Sequence, residues 1–178
     1  MRNERITPVS ISLYQASVPP FLQMLASLQG ILDKAEAHAA ARKIEPGVLL
    51  GTRLAPDMFP LVRQIQLAAD FAKGGAGRIA GVELPSYPDT ETSFAELKAR
   101  IAKTVDFLGS LKAAQIDGHE SREVTIPIAG QPYKFTAQDY LVKFALPNFY
   151  FHHTTAYAIL RHCGVEIGKR DYLGAFTG

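Results

Sequence analysis

Tryptophan is absent from these 178 residues, and cysteine occurs once, at Cys163. A single cysteine excludes an internal disulfide framework and a zinc site built on several thiolates. Cys163 lies near the end of an apolar segment with no acid–base partner at useful spacing. It reads as a small core residue, not a nucleophile. A charge excess is missing too: 19 Lys and Arg oppose 17 Asp and Glu, a formal net charge of +2. The basic residues are scattered, with small clusters only between Arg2 and Arg5 and at Lys169-Arg170. Nucleic-acid binding needs a focused basic patch, so no nucleic-acid partner is expected. No segment approaches the roughly 20 consecutive apolar residues of a membrane span. The richest stretch, Phe144 to Leu160, is broken by Pro147, Asn148, His152 and His153. The opening MRNERITPVS carries no apolar leader. A cytoplasmic protein with no membrane partner is therefore expected.

What is present is enough apolar material for a core. Hydrophobic residues make up 47% of the chain and charged residues 20%, and the length suits one domain over 1–178. Ile11, Tyr14, Val18, Leu25, Leu28 and Leu32 recur at three-, four- and seven-residue spacings, the mark of one apolar helix face. This predicts a first helix from about Val9 to Ile44, kinked or restarted at Pro19-Pro20. Residues 46–57 read as a connection. A second helix is predicted over Met58–Ile79, capped by Asp57, with Val62, Ile65, Ala69, Ala72, Ala76 and Ile79 as its apolar stripe. Gly74, Gly75 and Gly77 weaken its last turns and do not form a phosphate-binding loop. After a loop at 81–92, Ser93-Phe94-Ala95-Glu96 has capping-box spacing and opens a third helix reaching about Ala114. Alternation at Val124, Ile126 and Ile128, a turn at 129–132, then Tyr133 and Phe135 predict a β-hairpin over about 122–135. Thr136 caps a fourth helix over Ala137–Cys163, with Pro147 inside it and Gly164 as its stop. The aromatic tail at 165–178 is expected to dock on the bundle. The fold class expected is all-α: a four-helix bundle with a short hairpin between helices three and four.

The fourth helix carries the polar residues of most interest. Asn148 and His152 are four apart, hence one turn apart on one face. Leu141, Ala145, Thr155 and Ile159 share that face, so it should point into the bundle. Gln66 and Asp70, also four apart, border the stripe of the second helix. Together Gln66, Asp70, Asn148 and His152 are pocket candidates, with Tyr14 or Tyr150 as neighbours. Structural hydrogen bonding is the competing account of all four. His153 faces elsewhere, His162 suits the helix C-terminus, and His38 and His119 read as surface residues.

Two segments carry a resemblance. LPNFYFHHTTAYAILRHCGVEIGKRDYLG, at 146–174, resembles the C-terminal signature of an uncharacterised domain-of-unknown-function family within the DinB/YfiT-like four-helix bundles. FPLVRQIQLAADFAKGGAGRIAG, at 59–81, resembles that family's second helix. The resemblance implies a superfamily whose metal-binding members use three histidines: one on the second helix and an H-x-x-x-H pair on the fourth. Counted from Arg161 and Gly164, His152 matches the second histidine of the pair, and Asn148 stands where the first would be. Gln66 falls at the position on the second helix. Only one of three ligands is retained, and Asn and Gln carbonyls bind zinc or nickel weakly.

Three functions follow as expectations. The first is a small-molecule-binding bundle with a degenerate metal site and no cofactor. The second is a metal-dependent transferase or hydrolase in which His152 and Asp70 hold a divalent transition metal. The third is a non-catalytic homodimeric module, because Phe149, Phe151 and Tyr157 give helix four more apolar surface than one core face uses.

Overall fold

The computed structural model describes residues 10–176. The expected helix start near Val9 and the basic cluster at 2–5 lie outside them. Helix α1 spans Val18–Arg42. The prolines restart the helix and do not kink it: Pro19 sits in the first turn, where no backbone N–H is needed. Ser17 Oγ donates to Leu13 O at 2.7 Å across the preceding turn. Ile11, counted above on the apolar face, precedes the helix and is exposed. A short helix, α2, forms over Pro46–Leu50 where a plain connection was expected. Its Leu49 and Leu50 are buried, and that burial is what the connection reading overlooked.

Helix α3 spans Leu61–Ala80 and begins three residues later than predicted. Pro60 holds the capping position, and no side chain caps the helix, so Asp57 does not play that role. The helix ends where Gly81 turns left-handed, at φ 69°. Its glycines serve close packing. A Cβ on Gly75 would lie 2.9 Å from Phe21 Cζ and 3.2 Å from Ala145 Cβ. That space lets α3 approach α1 and the fourth helix at once. Helix α4 spans Phe94–Ser110 with the predicted capping box in place. Leu111 breaks it, and Ala113–Ile116 forms a separate short helix, α5.

Strands β1 (Glu123–Ile128) and β2 (Gln131–Thr136) form the predicted hairpin, with Ile126 opposite Tyr133. Both turn residues, Ala129 (φ 49°) and Gly130 (φ 79°), are left-handed, as a primed two-residue turn requires. An isolated hairpin is marginal. This one buries Val124 and Ile126 and packs Phe135 against Tyr140 and Phe144.

Thr136 caps the fourth helix by accepting from the Asp139 N–H. That helix is three segments in series: α6 (Ala137–Tyr140), a π-helical turn (Leu141–Ala145) and α7 (Leu146–His162). Pro147 explains the middle segment. In an unbroken α-helix its ring would meet the carbonyl of Lys143, four residues back. The chain widens ahead of it, with the Leu146 N–H bonded to Leu141 O, so the irregularity is a bulge. Gly164, at φ 82°, stops the helix as predicted.

The tail docks through α8 (Lys169–Leu173). Gln23 Nε2 donates to Leu173 O at 2.9 Å, Ser27 Oγ to Asp171 O at 2.8 Å, and Lys34 pairs with Asp171 at 2.6 Å. Phe176, beyond it, stays exposed. The four long helices α1, α3, α4 and α6–α7 enclose one apolar cluster that includes Phe21, Leu28, Ile65, Ile101, Phe149 and Ile159. No helix among the described residues is long and apolar enough to cross a membrane.

Candidate functional site

The four sequence candidates fall into two pairs with no hydrogen bond between them among the described residues. Asn148 and His152 lie one turn apart on α7, as predicted. The Asn148 amide donates to Phe144 O at 2.8 Å, within its own helix. His152 is buried and reaches across to α3, where Nδ1 lies 2.8 Å from Gln64 Oε1. Gln64, not Gln66, is therefore the partner on the facing helix. Phe71 of α3 stacks on the His152 ring at 5.4 Å and 12° and meets Phe144 edge-on at 5.8 Å. It spans the turn of α7 that carries Asn148.

Gln66 and Asp70 belong to an ion-pair network that joins α3 to α4 and the 81–92 loop. Arg100 of α4, 2% exposed, is at its centre. It bonds Asp70 at 3.0 Å, Asp89 at 3.0 Å, Glu91 at 2.9 Å and Pro88 O at 3.2 Å. Lys73 adds a second cation 3.0 Å from Asp70. Gln66 Nε2 donates to Glu91 Oε2 at 2.9 Å, and its own oxygen accepts from Arg63 at 3.2 Å. Arg63 also pairs with Asp89. Burial pushes the Glu91 carboxyl up, but hydrogen bonds from Arg100 and Gln66 outweigh it and hold it below its usual range. The network pins the 81–92 loop to α3 and α4.

The two neighbouring histidines are both neutral at physiological pH. Burial, helped by the positive charge of Arg63, pushes His152 down to about 4. Burial alone pushes His153 down to about 4, against the opposing effect of its bond to Met24 O at 3.0 Å. His153 is fully buried, with Tyr172 of the docked tail edge-on at 4.7 Å.

A cleft of about 240 Å³ opens beside this face. Leu67, Asp70, Phe71 and Arg78 of α3, Ile126 and Pro127 of β1, and Tyr140 and Phe144 of the fourth helix line it. Arg78 donates to the Tyr140 hydroxyl at 3.1 Å. Phe71 is thus both a wall of the cleft and the cover of His152. Neither proposed neighbour bonds to the four candidates. The Tyr14 backbone N–H donates to Asp117, and Tyr150 lines a different groove with Leu54 and Phe151.

The chain matches the family model described as "Domain of unknown function (DUF1993)" over residues 13–173. It belongs to the DUF1993 family. A crystal structure at 1.83 Å of a DinB family member from Shewanella denitrificans is 44% identical, with a TM-score of 0.85. The match covers 92% of this chain and 93% of that one. No curated protein matches. The DinB-like fold expected from the sequence is therefore the fold of this DUF1993 chain.

The DinB-like relationship raises the question of a metal, and the residues present do not fit one. Among the described residues, no group of three His, Cys, Asp or Glu side chains is placed to hold an ion. Gln66 is committed to Glu91 and Arg63, and Asp70 to Arg100 and Lys73. Arg63 places a positive charge close enough to lower His152, which also disfavours a cation there. Gln64, Arg63, Phe71 and Arg100 were missed in the sequence. Gln64 borders the predicted stripe on the side opposite Gln66, so periodicity alone did not single it out.

Proposed function

We propose that the chain is a small-molecule-binding bundle whose ligand sits at the α3–α7 face, with no metal taking part. The observation that carries the reading is the double role of Phe71. Its ring walls a cleft and stacks on His152, so an aromatic recess lies against a buried imidazole. Aromatic walls with a few convergent polar groups are the usual composition of a ligand site. Asp70 and Arg78 mark the polar ends of the cleft; Phe71, Tyr140 and Phe144 would stack on a flat ring. The volume suits a single-ring compound. A panel of single-ring aromatic amides, acids and amines, followed by backbone amide NMR, tests it. Shifts should concentrate at Phe71, Tyr140, Phe144 and His152 and weaken in Phe71→Ala. A panel that moves only the groove between α1 and α8, or nothing, would sink the reading. A transferase or hydrolase working through a metal on His152 and Asp70 has less behind it, because both residues stand beside cations.

A second reading, a homodimeric module, rests on Phe151, one of the three aromatics expected to face a partner. Phe149 is fully buried against Phe21, and Tyr157 packs on Tyr172. Phe151 remains exposed at 56%, next to Leu54 at 43%, in an open groove they share with Pro147, Tyr150 and Ala158. This face would meet a second copy of the chain. Light scattering should give the dimer mass for the unmodified protein and the monomer mass for Phe151→Glu; a monomer in both rules it out.

A further inference from the structure

His152 and His153 are adjacent, both buried and both neutral, yet their partners impose opposite tautomers. A carbonyl oxygen only accepts. His153 Nε2 faces the Met24 carbonyl at 3.0 Å, so His153 carries its proton on Nε2. His152 faces a glutamine amide, which offers either an oxygen or an NH2 group. The second bond of Gln64 resolves this. Its Nε2 donates to the Phe59 carbonyl at 3.0 Å, a contact that only the NH2 group can make. Its oxygen must then face His152 Nδ1, at 2.8 Å, and Nδ1 carries the proton. The free lone pair of His152 is on Nε2.

That lone pair is not sealed in. His153 Nδ1 is buried without a partner, whereas His152 Nε2 is not among the sealed unpaired atoms and has no hydrogen-bond partner among the described residues. The same holds one turn back. Asn148 Nδ2 is used by Phe144 O, so Oδ1 is the end left open. Two acceptors therefore stand one turn apart on α7, and the positive charge of Arg63 opposes a cation at His152.

We propose that Gln64 is a positioning residue that fixes His152 as the Nδ1–H tautomer, making His152 Nε2 and Asn148 Oδ1 an acceptor site for a neutral hydrogen-bond donor, an amide or hydroxyl group. The ligand half of this rests on the small-molecule reading above; the tautomer half does not. An ammonium ligand is opposed by Arg63, and a carboxylate meets two lone pairs.

Long-range nitrogen–proton NMR of the histidine rings at neutral pH reads the tautomer directly. Unmodified protein should show His152 protonated on Nδ1 and His153 on Nε2. In Gln64→Leu, His152 should move toward the Nε2–H form while His153 stays unchanged, the latter serving as the check on folding. Gln64→Glu restores an acceptor and should return the Nδ1–H form; it also keeps the test open if the leucine variant fails to fold. An Nε2–H His152 in unmodified protein, or a tautomer indifferent to Gln64→Leu, overturns the proposal. Titration of unmodified protein with benzamide, benzoate and benzylammonium then tests the ligand. Benzamide should bind about ten-fold tighter than either charged analogue, the worth of one good hydrogen bond. It should lose about that much in Gln64→Leu. Preference for a charged analogue overturns the acceptor site. No binding of any of the three, with the tautomers as stated, overturns the small-molecule reading and leaves the role of Gln64 standing.

Discussion

Replacing Arg100 with leucine should destabilise the protein by about 3–4 kcal/mol at pH 7. The magnitude comes from what each carboxylate keeps. Asp70 retains Lys73, and Asp89 retains Arg63. Both are a third or more exposed, at 33% and 41%, so water screens them and each loses at most about 1 kcal/mol. Glu91 differs: its side chain is only 10% exposed, and without Arg100 it keeps a single side-chain donor, Gln66. An uncompensated buried charge accounts for most of the loss. The pH dependence separates this from simple loss of packing. In the unmodified protein the Glu91 pKa is lowered, so its stabilisation is present above the unfolded value and disappears as pH falls through the folded one. In the variant, burial acts unopposed by Arg100 and Glu91 should titrate above its unfolded value, so the deficit grows as pH rises. Urea unfolding of both proteins at pH 7 and pH 4.5 should therefore give a larger difference at pH 7. Adding Glu91→Gln to Arg100→Leu should recover roughly half of the loss at pH 7, because the glutamine is neutral. A deficit below about 1 kcal/mol, equal deficits at the two pH values, or no recovery would refute the account.

The two buried histidines set the acid limit of the fold. Both are lowered from 6.5 to about 4, so the unfolded chain binds the extra protons first, and stability falls as pH drops from about 6.5 towards 4. Each should cost roughly 2 kcal/mol between pH 7 and pH 5. His153→Phe should remove its share of that slope in urea unfolding; an unchanged slope contradicts the assignment. Ala129 occupies a left-handed position in the hairpin turn that asparagine tolerates better. Ala129→Asn should raise stability by about 0.5–1 kcal/mol, seen as a higher Tm, and an unchanged or lower Tm would mean that the turn is not strained.

The bundle was legible because its signals were local and repeated. Ser93 and Glu96 define a helix start within four residues, and Gly164 defines a stop with one. Alternation from Val124 to Phe135 can hardly be satisfied by anything except a hairpin. Boundaries failed where a distant contact decided them. Asp57 is a good capping residue by type, but the Leu61 N–H is taken by Thr52 O at 2.9 Å, and the helix starts after Pro60. The geometry of the candidate residues was half legible. Helical spacing placed Asn148 and His152 together correctly, since both lie on one helix. It could not say which residue of α3 would meet them, because that depends on how two helices rotate against each other. Gln66 and Gln64 are two residues apart, about 200° around a helix, so they face nearly opposite ways. The predicted stripe does not choose between them: Gln64 and Gln66 stand one residue either side of Ile65, each about 100° from it. Gln66 was singled out because it lies four residues before Asp70 at the border of the stripe, and it also falls at the superfamily's histidine position on the second helix. Its burial comes instead from the loop that Arg100 holds down, and three carboxylates converging on one arginine leave no trace in helical periodicity. Where a metal pattern has lost two of its three ligands, the packing of the facing helix, and not the count along the sequence, decides the partner of the histidine that remains.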